Sequence, residues 1–236
     1  MTEWPAEHIS ASETELVFGA SALRWTDGRL EVTVDERSAP WGGRMRGRIT
    51  VHPETVFDAP VQLDAEGRHF WYPLAPTARL EVDLEAPRAR FSASGYHDAN
   101  AGTEGLEAGF QRWSWARLQH PQGTAIVYDA IRDDGSGHCH AGLYGYDGSI
   151  SELDLAPPTE LPNTGWGVSR WLRAPCGFSA QIARTWENTP FYARSLLRVQ
   201  DDASGRFGVH ETVDLQRFPK RWVQTLLPFR IRRGRR

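Results

Sequence analysis

The stretch ARLEVDLEAP, residues 78–87, alternates Leu80, Val82 and Leu84 with Glu81, Asp83 and Glu85. A period of two places the apolar side chains on one face of a pleated strand and the carboxylates on the other. LEVTVDE, from Leu30, repeats the pattern. Working outward, turn signals recur at short intervals: TDGR, SAPWGG, HPE, EAPR, HPQG, DDGSG and YDGS. Long helical periodicity is absent, and only a short helix is expected, near Gly105 to Gln111. Many short strands with frequent turns predict an all-β barrel or sandwich. At 236 residues the chain can form one large β unit or two smaller ones. A boundary is expected near residue 105, giving domains 1–105 and 106–236, with the Pro-rich APPTELPN as a loop inside the second.

Composition sets aside disordered and fibrous classes: 40% of residues are hydrophobic and 24% charged. A net charge of −3 supplies no global field for nucleic acid, so no nucleic-acid partner is expected. Among 27 basic residues only Lys220 is lysine, and five arginines, Arg230, Arg232, Arg233, Arg235 and Arg236, crowd the last seven positions. That cluster reads either as a solvated terminus or as a patch for an anionic membrane surface. Cys139 and Cys176 match no metal spacing and are too few for a disulfide framework, which predicts a reducing cytoplasm. With no apolar run near eighteen residues and no secretory pattern in MTEWPAEHIS, the expected location is cytoplasmic, or peripheral on the cytoplasmic face of the membrane.

Chemistry-bearing residues gather in two short runs. In RHFWYPL, His69 and Trp71 are two apart and share a strand face; in GYHDANAG, residues 95–102, Tyr96 and Asp98 repeat that spacing. The residues preceding them on the same face, Ser92 and Ser94, are small and leave room. An imidazole, an indole, a phenol and a carboxyl group around one cavity suit protonation of an apolar substrate and shelter of the resulting cation. Such pairs also occur on ordinary sheet faces, and Asp before a turn Asn commonly bonds local backbone. Trp113 and Trp115, with Trp166 and Trp171, can line a tunnel for a long apolar ligand or simply fill a core. His138 and His140 in GHCHAG supply at most two ligands, so no metal site is expected.

The run GYHDANAGTEGLEAGFQRWSWARL resembles the signature of the carotenoid 1,2-hydratases, also called hydroxyneurosporene synthases. The matching positions are Tyr96, Asp98, Asn100, Gly102, Phe110, Trp113, Trp115 and Arg117. DERSAPWGGRMRGRI, NTPFYARSLL, HETVDLQRF and LLPFR extend the resemblance over nearly the whole chain. It implies two lipocalin-like β domains and a cofactor-free addition of water across the terminal C1–C2 double bond of an acyclic carotenoid such as neurosporene or lycopene; relatives carry a further segment ahead of Met1, so either the start is misassigned or the first domain is reduced at its N-terminus. It also implies catalytic roles for His69, Trp71, Tyr96 and Asp98, with Trp113, Trp115 and Asn100 against the substrate. Asp98 would donate the proton, Trp71 and Tyr96 would stabilise the cation, and His69 would hold Asp98 or accept a proton from water. Two rivals stay open at this stage: a cyclase of the wider superfamily, and a non-catalytic carrier of apolar isoprenoids.

Overall fold

In the computed structural model, which describes residues 2–37, 42–200, 205–226 and 231–232, the alternating stretch ends an 18-residue strand, His69–Ala86. Leu80 and Val82 turn inward while Glu81 and Asp83 are exposed, as period two requires. In chain order the first strands are β1 (Thr2–Glu3), β2 (Ile9–Ala11), β3 (Glu15–Phe18), β4 (Ser21–Thr26), β5 (Arg29–Arg37), β6 (Arg44–Pro53), β7 (Val61–Gln62), β8 (His69–Ala86) and β9 (Ala89–Gly102). The chain divides into two compact units. The first holds Met1–Val56, Ala75–His97 and Leu227–Arg236, and the second Phe57–Leu74 and Asp98–Leu226.

The first unit is an antiparallel meander in the order β2-β3-β4-β5-β6-β8. Its β4–β5 hairpin closes Thr26 against Arg29 over Asp27 and Gly28, whose φ values of 49° and 73° are those of a tight mirror-image turn. An Asp-Gly pair tolerates that geometry and matches the strand twist. Leu30, Val51, Ala75 and Ala78 form the core, with Leu23, Trp25, Val32 and Leu80 packed against it.

The second unit continues with α1 (Leu106–Gly109), β10 (Phe110–His120), β11 (Gly123–Arg132), β12 (Gly137–Gly145), β13 (Ile150–Glu152), β14 (Thr159–Leu161), β15 (Arg170–Leu172), β16 (Ser179–Asn188), β17 (Tyr192–Gln200), β18 (Gly205–Asp214) and α2 (Arg221–Leu226). A seven-stranded antiparallel sheet runs β13-β12-β11-β10-β18-β17-β16. One face carries Ala116, Leu118, Ala125, Leu197 and Val199, which pack with Leu161 of β14 and Leu172 of β15. The other face presents Trp113, Trp115, Tyr128, His140 and Glu211, because Trp115 pairs with Tyr128 and with Glu211, and Tyr128 with His140. The last strand, β19 (Ile231–Arg232), pairs in parallel with β1 in the first unit.

The fold is all-β, with two antiparallel sheets and a lipocalin-like architecture. The expected boundary near residue 105 falls inside the second unit. The reason is strand length: β8 and β9 are long, and their ends away from the hairpin that joins them, His69–Leu74 and Asp98–Gly102, belong to the second unit. The expected short helix is present as α1.

Candidate active site

The segment LDAEGRH folds back tightly between β7 and β8. The Leu63 N–H donates to the His69 carbonyl at 3.0 Å, the Gly67 N–H to the Asp64 carbonyl at 3.4 Å, and the Arg68 N–H to Asp64 Oδ1 at 3.0 Å. Gly67 sits at φ 68°, a left-handed position that a glycine adopts without strain. This turn brings Asp64 Oδ2 to 2.9 Å from His69 Nδ1, with both side chains almost fully buried, at 3% and 2% exposure. Burial raises the Asp64 carboxyl, but the Arg68 N–H and the His69 contacts outweigh it and hold the group below the usual carboxylate range. The imidazole packs edge-on to Phe110 at 5.1 Å, and its Nε2 has no hydrogen-bond partner. A Cβ at Gly109 would lie 2.7 Å from His69 Cε1, and one at Gly102 3.0 Å from Cδ2. Glycine at these two positions is therefore a matter of space.

Two residues along β8, Trp71 is fully buried and donates its indole N–H to Asp98 Oδ2 at 2.8 Å. That bond joins one member of the H-x-W pair to one of the Y-x-D pair. Asp98 itself is half-buried, and Oδ1 accepts no hydrogen bond among the described residues. The Trp71 ring packs against Tyr128 at 5.7 Å and edge-on to His140 at 5.8 Å, and Trp113 follows at 5.9 Å from Tyr128. Burial, then the charge of Asp98, push the Tyr128 phenol far above its ordinary range, so it stays protonated. Burial also raises the Glu211 carboxyl; Arg194 at 2.8 Å opposes the rise and the Asp98 charge adds to it.

A family profile described as "Carotenoid hydratase CrtC" matches residues 1–236. The chain is 40% identical over 234 residues to the acyclic carotenoid 1,2-hydratase of Thiocapsa roseopersicina, an alignment covering 99% of this chain and 58% of that protein. It is 36% identical over 235 residues to the acyclic carotenoid 1,2-hydratase of Rhodobacter capsulatus, covering 99% and 83%. The chain belongs to the CrtC carotenoid hydratase family. It spans 58% of the length of the Thiocapsa relative. Among solved structures CghA superposes with a TM-score of 0.57 at 14% identity, covering 82% of this chain and 67% of that one. That likeness concerns the fold alone.

Within this family member, His69, Trp71 and Asp98 lie together in the second unit. Tyr96 alternates with His97 on β9, so it shares the Asp98 side of the strand, and it is half-buried. Trp113 joins the ring cluster, Trp115 is buried at 6% exposure, and Asn100 is exposed. The tunnel reading does not extend to Trp171 or Trp166. Trp171 bonds Asp129 through its N–H at 2.8 Å and lines a different cavity of about 600 Å³ with Arg112, Arg170 and Arg173. Trp166 sits 6.5 Å from Trp222, both largely exposed. His138 and His140 share a face of β12, and no group of three or more His, Cys, Asp or Glu able to hold a metal occurs among the described residues. Asp64, Tyr128, His140 and Glu211 are the site residues that sequence reasoning missed. Glu211, inside HETVDLQRF, and His140, inside GHCHAG and weighed there only as a metal ligand, lie in stretches that the motifs had marked.

Proposed function

We propose that the chain adds water across the terminal C1–C2 double bond of an acyclic carotenoid such as neurosporene or lycopene, the activity for which its curated relatives are named. The observation that carries this reading is the Trp71 N–H···Asp98 Oδ2 bond, which anchors one carboxyl oxygen and leaves the other open to a reactant. Asp98 gives its proton from Oδ1 to C2, and the π electrons of the double bond form the new C–H bond. A tertiary cation remains at C1, facing the electron-rich ring of Trp71. Water then adds to C1 and sheds a proton, for which His69 and the Asp98 carboxylate are the two acceptors. A polyene end seated here excludes water from the reacting carbons. Proton transfer and water addition balance without a redox partner, so this reading calls for no cofactor.

Asp98→Asn keeps the volume and an acceptor for Trp71 but cannot act as a carboxylic acid. Hydration should fall by at least ~10²–10⁴-fold while polyene binding survives. A product assay in detergent separates the rivals. One added water per end is the hydratase outcome, tight binding without change indicates a carrier, and a rearranged isomer indicates a cyclase. An Asp98→Asn protein that binds and hydrates at the parent rate removes Asp98 from the mechanism.

We also propose peripheral association with the cytoplasmic face of an anionic membrane through Arg230, Arg232, Arg233, Arg235 and Arg236. Arg230, Arg233, Arg235 and Arg236 lie outside the described residues, and the reading rests on the charge cluster and on a substrate that dissolves in lipid. No helix among the described residues is long and apolar enough to cross a membrane. Removing Arg230 to Arg236 should weaken binding to anionic liposomes by about 1 kcal/mol per arginine at low salt. Equal binding with and without the tail refutes the proposal.

A further inference from the structure

We infer that Asp64 is the positioning residue of a His69 base: it holds the imidazole as the Nδ1–H tautomer and leaves the Nε2 lone pair to take the proton shed by the attacking water. The inference rests on the hydratase reading for its chemistry, and on geometry for its assignment. Both Asp64 oxygens act as acceptors. Oδ1 takes the Arg68 N–H at 3.0 Å and Oδ2 faces His69 Nδ1 at 2.9 Å. A carboxylate has no proton to give, so the hydrogen between Oδ2 and Nδ1 belongs to the ring. The neutral imidazole then carries its lone pair on Nε2, the buried nitrogen without a partner. Unsatisfied buried polar atoms are uncommon, and catalytic work is one of the conditions that retain them.

The ring is closely packed on both sides of that nitrogen. Cε1 and Cδ2, the carbons flanking Nε2, lie against Gly109 and Gly102, where any side chain would press on the ring. Phe110 meets the ring edge-on at 5.1 Å and fixes its plane. His69 and Trp71 share one face of β8, about 6.6 Å apart by strand rise. Trp71 in turn holds Asp98, so acid and base are set on one frame. The alternative role for His69, holding Asp98, is occupied: the hydrogen bond at Asp98 Oδ2 comes from Trp71, and the bond His69 makes goes to Asp64.

The step balances. A lone pair of water forms the C1–O bond, an O–H bond of the resulting oxonium breaks, and its proton goes to Nε2. The imidazolium is stabilised by the Asp64 carboxylate, and the proton returns through water to the Asp98 carboxylate before the next turnover. No outside reactant is needed beyond water and the polyene.

The test is Asp64→Asn in the full chain. The carbonyl oxygen of asparagine still accepts the Arg68 N–H, so the turn is preserved, while its NH₂ donates to Nδ1 and forces the proton onto Nε2. A comparable substitution in the serine protease triad leaves geometry intact and lowers turnover through the wrong tautomer. We expect kcat to fall about 10²–10⁴-fold with unchanged polyene binding. ¹⁵N NMR of histidine-labelled protein, with His69 assigned by its loss in His69→Gln, should show Nδ1–H in the parent and Nε2–H in the variant. Asp64→Glu, which retains a carboxylate, should keep the parent tautomer and recover part of the rate. An Asp64→Asn enzyme at the parent rate, a kcat loss with the tautomer unchanged, or a parent His69 protonated at Nε2 overturns the assignment. If Asp64→Asn does not fold, the parent spectrum and Asp64→Glu still decide. If the parent yields no hydration product, the hydratase reading fails, while the spectra judge the Asp64–His69 pair independently.

Discussion

The second unit buries two histidines, and they are wired differently. His69 has a carboxylate at Nδ1 and a buried Nε2 without a hydrogen-bond partner. His210, on β18, is 0% exposed and has no carboxylate. Its Nε2 lies 2.9 Å from the Trp171 carbonyl and 3.1 Å from Ser114 Oγ, and the Ser114 hydroxyl also donates to that carbonyl, at 2.5 Å. A carbonyl can only accept, so the His210 proton sits on Nε2; its Nδ1 lone pair, buried and without a partner like His69 Nε2, points away from the serine. Ser114 and His210 therefore have the spacing of a nucleophile and its base but the wrong proton arrangement. Burial, reinforced by the charge of Arg170, pushes His210 down to about 4 despite the pull of the Trp171 carbonyl. Burial alone makes a histidine an inert neutral spacer. What distinguishes His69 is the buried acid beside it.

The widest test of this contrast is to substitute glutamine at each position. At His69, glutamine retains a donor for Asp64, so the fold should hold while hydration drops about 10²–10⁴-fold. At His210 the rate per folded molecule should persist and stability should fall by about 1–3 kcal/mol as buried partners lose their bond. Acid should separate the regions as well. His210 has a folded value of about 4 against 6.5 in the unfolded chain, so the unfolded state takes up the proton first. Its stabilisation is complete above pH 6.5 and is lost as pH falls toward 4, about 3 kcal/mol in all. Asp64 is shifted below its ordinary 3.8, so its stabilisation is present above that value and is lost at lower pH, through its own depressed value. Urea midpoints at pH 7 and pH 4.5 should diverge in the parent and converge in His210→Gln. A His210→Gln enzyme that keeps the parent's acid loss, or a His69→Gln enzyme that turns over normally, breaks the comparison.

Sequence reading reached the strands because alternation is a local property. Leu80 and Val82 announce their face to any reader of period two, and Asp27-Gly28 announces its turn. It singled out His69, Trp71 and Asp98 as candidates because H-x-W and Y-x-D fix which side chains share a side, and the Trp71–Asp98 hydrogen bond joins the two pairs. It could not reach Asp64, whose carboxyl finds His69 through a turn rather than through strand periodicity. Tyr128, His140 and Glu211 arrive on strands distant in the chain, and their approach depends on sheet order and register. Trp171 shows the reverse limit: composition leaves tunnel lining and core packing both open for it, and only the fold decides, because its strand, β15, turns the indole toward Asp129.

The finest probe of the contrast is a single methyl group. Gly109 ends α1 with a backbone open to any residue, yet a Cβ there would lie 2.7 Å from His69 Cε1 and 3.2 Å from Nδ1. Asp64 and Phe110 hold that ring, so it can yield only by moving off its hydrogen bond. Gly208 provides the matching position on the strand of His210, where a Cβ would meet Leu118 Cδ2 at 2.6 Å and the Arg117 carbonyl at 2.8 Å. Each Gly→Ala change overpacks a filled interior and should cost about 1–3 kcal/mol in stability. Only Gly109→Ala should also lower kcat, by about 10-fold and up to 10²-fold, because small misplacements of a catalytic group are expensive in rate. Polyene binding should be unaffected in both. Chemical denaturation and single-turnover hydration measured on the two variants decide it. If they lose stability alike and Gly109→Ala keeps the parent rate, the orientation of His69 does not limit the reaction, and the two buried histidines differ in surroundings but not in function.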